Sequence, residues 1–376
     1  MRKFISRAAA LLLAGVMTAA VAGCGKNSDS EAKDTAKKWT ELDQTQITEA
    51  MGLGWNLGNQ LEASSGGLPS ETCWGNPEIT KELIDTIKAQ GFKTVRIPVS
   101  YLDMIGDGPD YKIDTDWLDR VQEVVDYVVN NDMFAIVNMH GDGYYTVDHS
   151  WLLCAEDDDK QTEIKDKYGK VWTQIADRFK DYDQHLIFES MNEEFNNDYG
   201  KPDEKAYDNI NAYNQIFVDS VRATGSNNEK RWLLLPGWNT NIEYTAGDDY
   251  NFKIPTDKGC KADGKRIMIS VHYYDPFNFT IDENKTAKTQ WGKYAVKNYD
   301  NWGQEDYVDS QMALLNEKFV SQGYPVVIGE FGAQSLQTTM SSDATGLNIL
   351  SRRQRKTALF VYTGTTATTA TRALAS

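Results

Sequence analysis

Leu186-Ile187-Phe188-Glu189-Ser190-Met191-Asn192-Glu193-Glu194-Phe195-Asn196-Asn197 opens as a short apolar run and breaks abruptly into carboxylates and amides. The opening residues suit a buried strand, and the break puts polar chemistry at the strand's end. In an α/β barrel, catalytic groups gather where strands give way to loops at the C-terminal face. Pro325-Val326-Val327-Ile328-Gly329-Glu330-Phe331-Gly332 repeats the pattern with one carboxylate at its end. Glu193 and Glu330 are therefore a candidate pair. Taken singly, either could be an ordinary loop charge, since charged strand ends are common; the rest of the chain decides.

Outward from this stretch, strand and helix alternate seven times. Met51 to Leu57 reads as a first strand. Asn76-Pro77-Glu78 then signals a helix, with an amide cap, proline at the first helical position and an early acid, running to Gln90 and stopping at Gly91. Further strands are expected at Phe92 to Pro98, Met133 to Met139, Arg231 to Pro236 and Ile267 to Val271. Helices are expected from Thr115, around Val171 to Phe179 and from Tyr207 to Val221. Val308, Met312, Leu315 and Phe319 mark one apolar helix face closed by Gly323. Continuous apolar strands argue for a parallel sheet covered on its faces. No Gly-rich phosphate turn follows the first strand, which counts against an open doubly wound sheet. The count predicts a (β/α)8 barrel, a TIM barrel, whose eighth unit is scrambled. From Gln334 onward there is one acid, Asp343, against five bases, and the chain ends in a Thr/Ala-rich run that does not read as a strand.

The N-terminus reads as an address. Arg2, Lys3 and Arg7 precede the apolar run Ala8 to Ala22, too short to span a bilayer and followed by small residues, as in a secretory signal. Val21-Ala22-Gly23-Cys24 resembles a lipoprotein cleavage box with Cys24 as the lipidated residue, and Ala20-Val21-Ala22 offers an ordinary cleavage site instead. Expected divisions are a signal over 1–24, a polar tether over 25–38, a catalytic domain over 39–333 and an aberrant tail over 334–376. The whole chain carries a net charge of −16, and removal of residues 1–24, with three bases and no acid, brings it to −19. Such a balance repels phosphates, so nucleic acid is excluded as a partner. Cys73, Cys154 and Cys260 lack zinc-ligand spacing and allow one disulfide at most. Ten tryptophans and 19 tyrosines are a stock of flat rings compatible with a carbohydrate cleft.

Each expected strand ends in a group that can hydrogen-bond or stack. These are Trp55, Asn56 and Asn59; Arg96; His140; Asn192 and Glu193; Trp238 and Asn239; His272 and Tyr274; and Glu330. Two carboxylates with an Arg, two His, a Tyr and aromatics suit glycoside hydrolysis by double displacement. One Glu attacks the anomeric carbon, and the other protonates the leaving oxygen and then activates water. That chemistry needs no metal and no cofactor. Arg96 beside Glu330 would hold a nucleophile ionised, while burial and the partner's like charge would raise the acid's pKa.

The runs Gly54-Trp55-Asn56-Leu57-Gly58-Asn59, Thr94-Val95-Arg96-Ile97-Pro98-Val99, Asn138-Met139-His140, Ile187 to Glu193, Val271-His272-Tyr273-Tyr274 and Ile328-Gly329-Glu330-Phe331-Gly332 together resemble the endoglucanases of glycoside hydrolase family 5, especially rumen-type bacterial cellulases. The resemblance covers about residues 39 to 333. It implies a retaining endo-β-1,4-glucanase acting on cellulose or related β-glucans, with xyloglucanase, lichenase or mannanase as neighbouring specificities. A non-catalytic surface glycan-binding protein is the alternative if the tail is genuine. By residue, it implies Glu193 as acid/base and Glu330 as nucleophile, supported by Arg96, His140, Asn192, His272 and Tyr274. Asn56, Asn59, Trp74, Trp238 and Asn239 are expected to bind substrate. Glu189 and Glu194 are rivals for the acid role, and Glu194 takes a place where many relatives have proline. Glu189 reads as a structural carboxylate inside the barrel. The expected partner is a β-glucan, met by an exported monomer that touches a membrane only through its N-terminal lipid. The departure is strand eight, where the family has a Val-Tyr-Trp-Asp-Asn-Gly type run. Codons for Thr363 to Ala370, read from each wobble base, can encode Trp-Asp-Asn-Gly-Tyr-Asn-Gly. The tail is therefore expected to be a frameshifted copy of strand eight.

Overall fold

Runs of Val, Ile, Leu and Phe hidden on both faces form the wall of a closed barrel. The computed structural model describes residues 39–282, 284, 286–333 and the backbone of 358–362. The expected signal, Cys24 and the tether lie outside the described residues, as does the tail apart from that last segment. In chain order the strands are β1 (Leu53–Asn56), β2 (Thr94–Ile97), β3 (Phe134–Asn138), β4 (Leu186–Glu189), β5 (Leu233–Asn241), β6 (Ile267–Tyr273), β7 (Val326–Phe331) and β8 (Ala358–Tyr362). Every residue of β2, β3, β4 and β6 is buried. Neighbours from β1 through β7 pair in parallel. The expectation that the tail supplies no strand is corrected: β8 fills the gap between β7 and β1, but it runs antiparallel to both. The barrel is thus closed by a strand whose direction departs from the other seven.

Five helices of eight residues or more start at side-chain caps. These are α1 (Gln44–Met51), α2 (Lys81–Ala89), α3 (Thr115–Val129), α4 (Asp158–Arg178) and α5 (Glu204–Ala223). Asp43 and Gln46 form a reciprocal capping box on α1. Met51, expected to open the first strand, ends α1 instead, and Gly52 turns the chain with φ +53°. Ile47 and Met51 then pack with Phe134, Ile136, Ile187, Leu234, Met268 and Val327 in a small core separate from the large one. The expected start of α2 at Asn76 is also corrected. Thr80 caps it by accepting from the Leu83 amide at 3.2 Å, and Asn76 instead donates to the Asn59 carbonyl at 2.6 Å. Asp157 and Asp203 start α4 and α5 earlier than the apolar periodicity alone suggests.

Two local departures shape the C-terminal end of the barrel. β5 does not stop at Pro236 but continues to Asn241 through irregular pairing with β6. Between β6 and β7 the register slips by one residue, so Val271 lies opposite Ile328 but His272 lies opposite Glu330. Gly329 is the extra residue of this bulge, and a Cβ there would fall 2.9 Å from His272 Nε2. Glycine is what lets His272 and Glu330 face each other.

Candidate active site

Arg96 is the hub. Fully buried on β2, its guanidinium donates from Nε to Glu189 Oε2 at 2.7 Å, from Nη1 to Glu330 Oε1 at 2.8 Å and Asn56 Oδ1 at 3.2 Å, and from Nη2 to Asn192 Oδ1 at 2.8 Å. Four groups from three other strand ends are thereby tied to one cation. Glu189 is sealed inside the barrel, where its other oxygen accepts from Ser270 at 2.6 Å and Asn138 Nδ2 adds a bond at 3.1 Å. It is a structural carboxylate, as expected.

Glu330 accepts from Arg96 on one oxygen and from the Tyr274 hydroxyl on the other at 2.9 Å. Burial works against its charge, but His272, Arg96 and the Tyr274 hydrogen bond outweigh it and hold this carboxyl well below the usual carboxylate range. Glu193 meets different neighbours: His272 Nδ1 at 2.6 Å from Oε1 and the Tyr144 hydroxyl on Oε2. One oxygen each of Glu193 and Glu330 and a ring nitrogen of His272 lie within 4.8 Å of one another. Three such groups could hold a cation, but Arg96 already places a fixed positive charge against Glu330. His140 is pushed down to about 3 by burial, Arg96 and His272, so its imidazole is neutral in the working range. Asn138 spends its carbonyl on the Val99 amide at 3.2 Å and so turns its Nδ2 toward His140 Nδ1, also at 3.2 Å. His140 Nδ1 is thereby an acceptor, and the ring proton sits on Nε2.

The fold gathers Asn56, Arg96, His140, Asn192, Glu193, His272, Tyr274 and Glu330 into this cluster. Asn59 and Trp74 belong to the loop after β1, where Trp74 stands 41% exposed with its indole N–H fixed to the Ser64 carbonyl at 2.9 Å. Asn239, partly exposed at φ +49°, donates its amide to the Glu194 carbonyl at 2.8 Å. Trp238 is a correction. Because β5 runs on past Pro236, its ring points into the helix layer, 1% exposed and 5.7 Å from Tyr207 of α5. It cannot stack on a sugar. Glu194 is not a rival acid either, being 1% exposed with its carboxyl against the Gly143 backbone.

Sequence reasoning missed Tyr144 and Glu62. Tyr144 lies four residues beyond His140, and nothing local distinguishes it from Tyr145. Glu62 folds back to accept from the amides of Asn59 and, at 3.0 Å, Gln60. Burial first, with Glu330's charge adding, raises it to about 7 against those hydrogen bonds.

With this geometry in place, comparison with known proteins is informative. Residues 58–364 match the family described as Cellulase (glycosyl hydrolase family 5). An Endoglucanase A from Paenibacillus barcinonensis is 53% identical over 331 residues, 86% of this chain and 80% of the relative. A family 5 xyloglucanase from Paenibacillus pabuli, solved with ligand, shares 56% identity with TM-score 0.74 over 77% of this chain and 81% of that one. A broad-specificity endoglucanase from Bacteroides salanitronis shares 40% identity with TM-score 0.74, covering 80% and 79% of the respective chains. The match across most of the chain, over a barrel with a carboxylate pair at its mouth, makes this protein an enzyme of glycoside hydrolase family 5.

Proposed function

We propose that the chain is an endo-β-1,4-glucanase that cleaves internal β-glucan bonds with retention of configuration. The carrying observation is the approach of Glu193 and Glu330 oxygens to within 4.8 Å. So close an approach of single oxygens fits a retaining pair, whose carboxyl groups lie roughly 5–5.5 Å apart, better than an inverting pair, whose groups stand roughly 6.5–9.5 Å apart to admit a water. Glu330, ionised beside Arg96 and Tyr274, attacks the anomeric carbon as the leaving oxygen takes a proton from Glu193. A glycosyl ester forms on Glu330. Glu193, now a carboxylate accepting from Tyr144 and facing His272, then takes a proton from water, whose oxygen displaces Glu330. Asn192, oriented by Arg96 Nη2, leaves its amide N–H groups for a sugar hydroxyl. Hydrolysis of cellopentaose followed by NMR tests the stereochemistry: β-anomer forming first supports the reading, and α-anomer first refutes it.

A xyloglucan-directed reading is favoured by one observation, the 56% identity to a xyloglucanase. Initial rates on carboxymethylcellulose, xyloglucan, mixed-linkage glucan and mannan rank these readings directly. Export completes the proposal, supported by Arg2, Lys3, Arg7, the following apolar run and Cys24. Labelled palmitate incorporated by the parent and lost on Cys24→Ser is the expected result; label retained by the variant counts against lipidation there.

A further inference from the structure

The retaining mechanism uses the Tyr144 hydroxyl on Glu193 without saying what holds Tyr144 there, and it gives the neighbouring Glu194 no task. Tyr144 places its hydroxyl on Glu193 Oε2 from the turn that follows His140, Gly141–Gly143. Glu194, next in sequence to Glu193, sends its own side chain beneath that turn. A Cβ added to Gly143 would fall 1.7 Å from Glu194 Oε1 and 2.1 Å from Oε2, so the carboxyl sits directly against the Gly143 backbone. The Glu194 backbone is fixed as well, its carbonyl accepting from the Asn239 amide at 2.8 Å. Asp142 anchors the same turn by accepting from the amides of Tyr101 at 2.9 Å and Leu102 at 2.8 Å and from Trp151 Nε1 at 2.7 Å.

We propose that Glu194 is a positioning residue whose carboxyl, packed against Gly143, holds the 141–144 turn so that the Tyr144 hydroxyl stays on Glu193 and tunes it as acid/base. The inference rests on the acid/base role proposed for Glu193. Burial first, and the Asp142 charge second, push its carboxyl well above the ordinary range, which favours the neutral form and suits a packing role. The groups in electrostatic reach are Asp142 in the turn, Tyr145 and Cys154 after it, Tyr168 on α4 and Tyr213 on α5, and none supplies a positive charge. The Tyr144 hydroxyl donates to Glu193 Oε2, and such a bond is stronger to a charged carboxylate than to a neutral carboxyl.

The test measures the alkaline limb of kcat/KM on a β-glucan, together with the rate on an aryl cellobioside whose leaving group needs no proton. Tyr144→Phe is expected to move the limb upward by about half to one pH unit, since a hydrogen bond to the charged form is lost. Glu194→Ala is expected to match that shift and to spare the aryl substrate, while Glu194→Gln, alike in shape, restores the parent limb. The Tyr144→Phe/Glu194→Ala double variant should shift no further than either alone, because both act through one contact. An additive double variant, or an Ala variant that slows both substrates equally with an unmoved limb, overturns the proposal. Should Glu194→Ala fail to fold, Gly143→Ala, which displaces the carboxyl from the opposite side, carries the same expectations. Glu193→Gln serves as the control: if it fails to discriminate between the substrates, the acid/base reading itself falls, whatever the Glu194 variants do.

Discussion

Glu330 and Glu193 are chemically the same side chain, and their neighbours give them opposite tasks. Arg96 and Tyr274 hold Glu330 as a charged nucleophile, and no nearby group can attack in its place. Glu330→Gln is therefore expected to lose turnover on every substrate. Glu193→Gln should cost about 10²–10⁴ on glucans, the usual share of general acid/base catalysis, and far less for the glycosylation step of an aryl glycoside. Equal losses on both substrates, measured by initial rates and burst kinetics, would refute the division of roles. The Glu193, His272 and Glu330 trio raises a metal alternative. The Arg96 charge at 2.8 Å from Glu330 argues that carboxylates alone carry the reaction, so activity should persist in excess chelator. Loss on chelation, reversed by one specific metal, would point the other way. Much of this pair was legible in the sequence because buried strands that break into Asn-Glu or Gly-Glu have few structural uses. Tyr144 was not, since its reach to Glu193 depends on how a turn folds.

Elements were legible where burial on both faces leaves uninterrupted apolar runs, as in β3, β4 and β6. They were misread where polar caps or bulges set the boundary: Thr80 rather than Asn76 starts α2, and β5 overruns Pro236. That overrun decides the fate of two tryptophans. Trp238→Ala should destabilise by about 3–5 kcal/mol as a core truncation, with KM unchanged in the folded fraction. Trp74→Ala, on an exposed ring held by one hydrogen bond, should leave melting temperature near the parent's and raise glucan KM about fivefold, equivalent to roughly 1 kcal/mol of stacking. The reverse pattern in melts and kinetics would restore Trp238 to the cleft. The β1 loop carries a pH dependence of its own. Glu62 ionises at about 7 in the fold against an ordinary 4.5, so between these values the native state keeps a proton the unfolded chain has released. This stabilisation is complete below about pH 4.5 and is lost as pH rises through about 7, on the order of 3 kcal/mol in all. Thermal melts of Glu62→Gln should fall less steeply with pH across that window than those of the parent, and identical slopes would rule the carboxyl out as their source.

At the scale of the whole molecule, seven strands obey one direction and the eighth does not. β8 pairs Phe360 with Leu53 on one side and Ile328 on the other, antiparallel in both cases. Direction matters for function: a parallel β8 would end at the face that holds Glu193 and Glu330, whereas this one ends at the opposite face. A parallel return also needs a crossover of about a dozen residues or more, usually helical, which an antiparallel strand does not. The backbone of Ala358–Tyr362 thus fills a gap that would otherwise leave two unpaired edges and an open core. The frameshift reading of the tail predicts what restores it. With the frame corrected between Gln334 and Thr363, a Trp follows Val361-Tyr362, and only a parallel strand brings that ring to the catalytic face. The frame-restored chain should therefore exceed the original in soluble yield, in melting temperature and in carboxymethylcellulase activity, and its eighth strand should reverse direction. Equal stability and equal activity in the two chains would mean that the antiparallel strand is a genuine closure and that the site works without the extra ring.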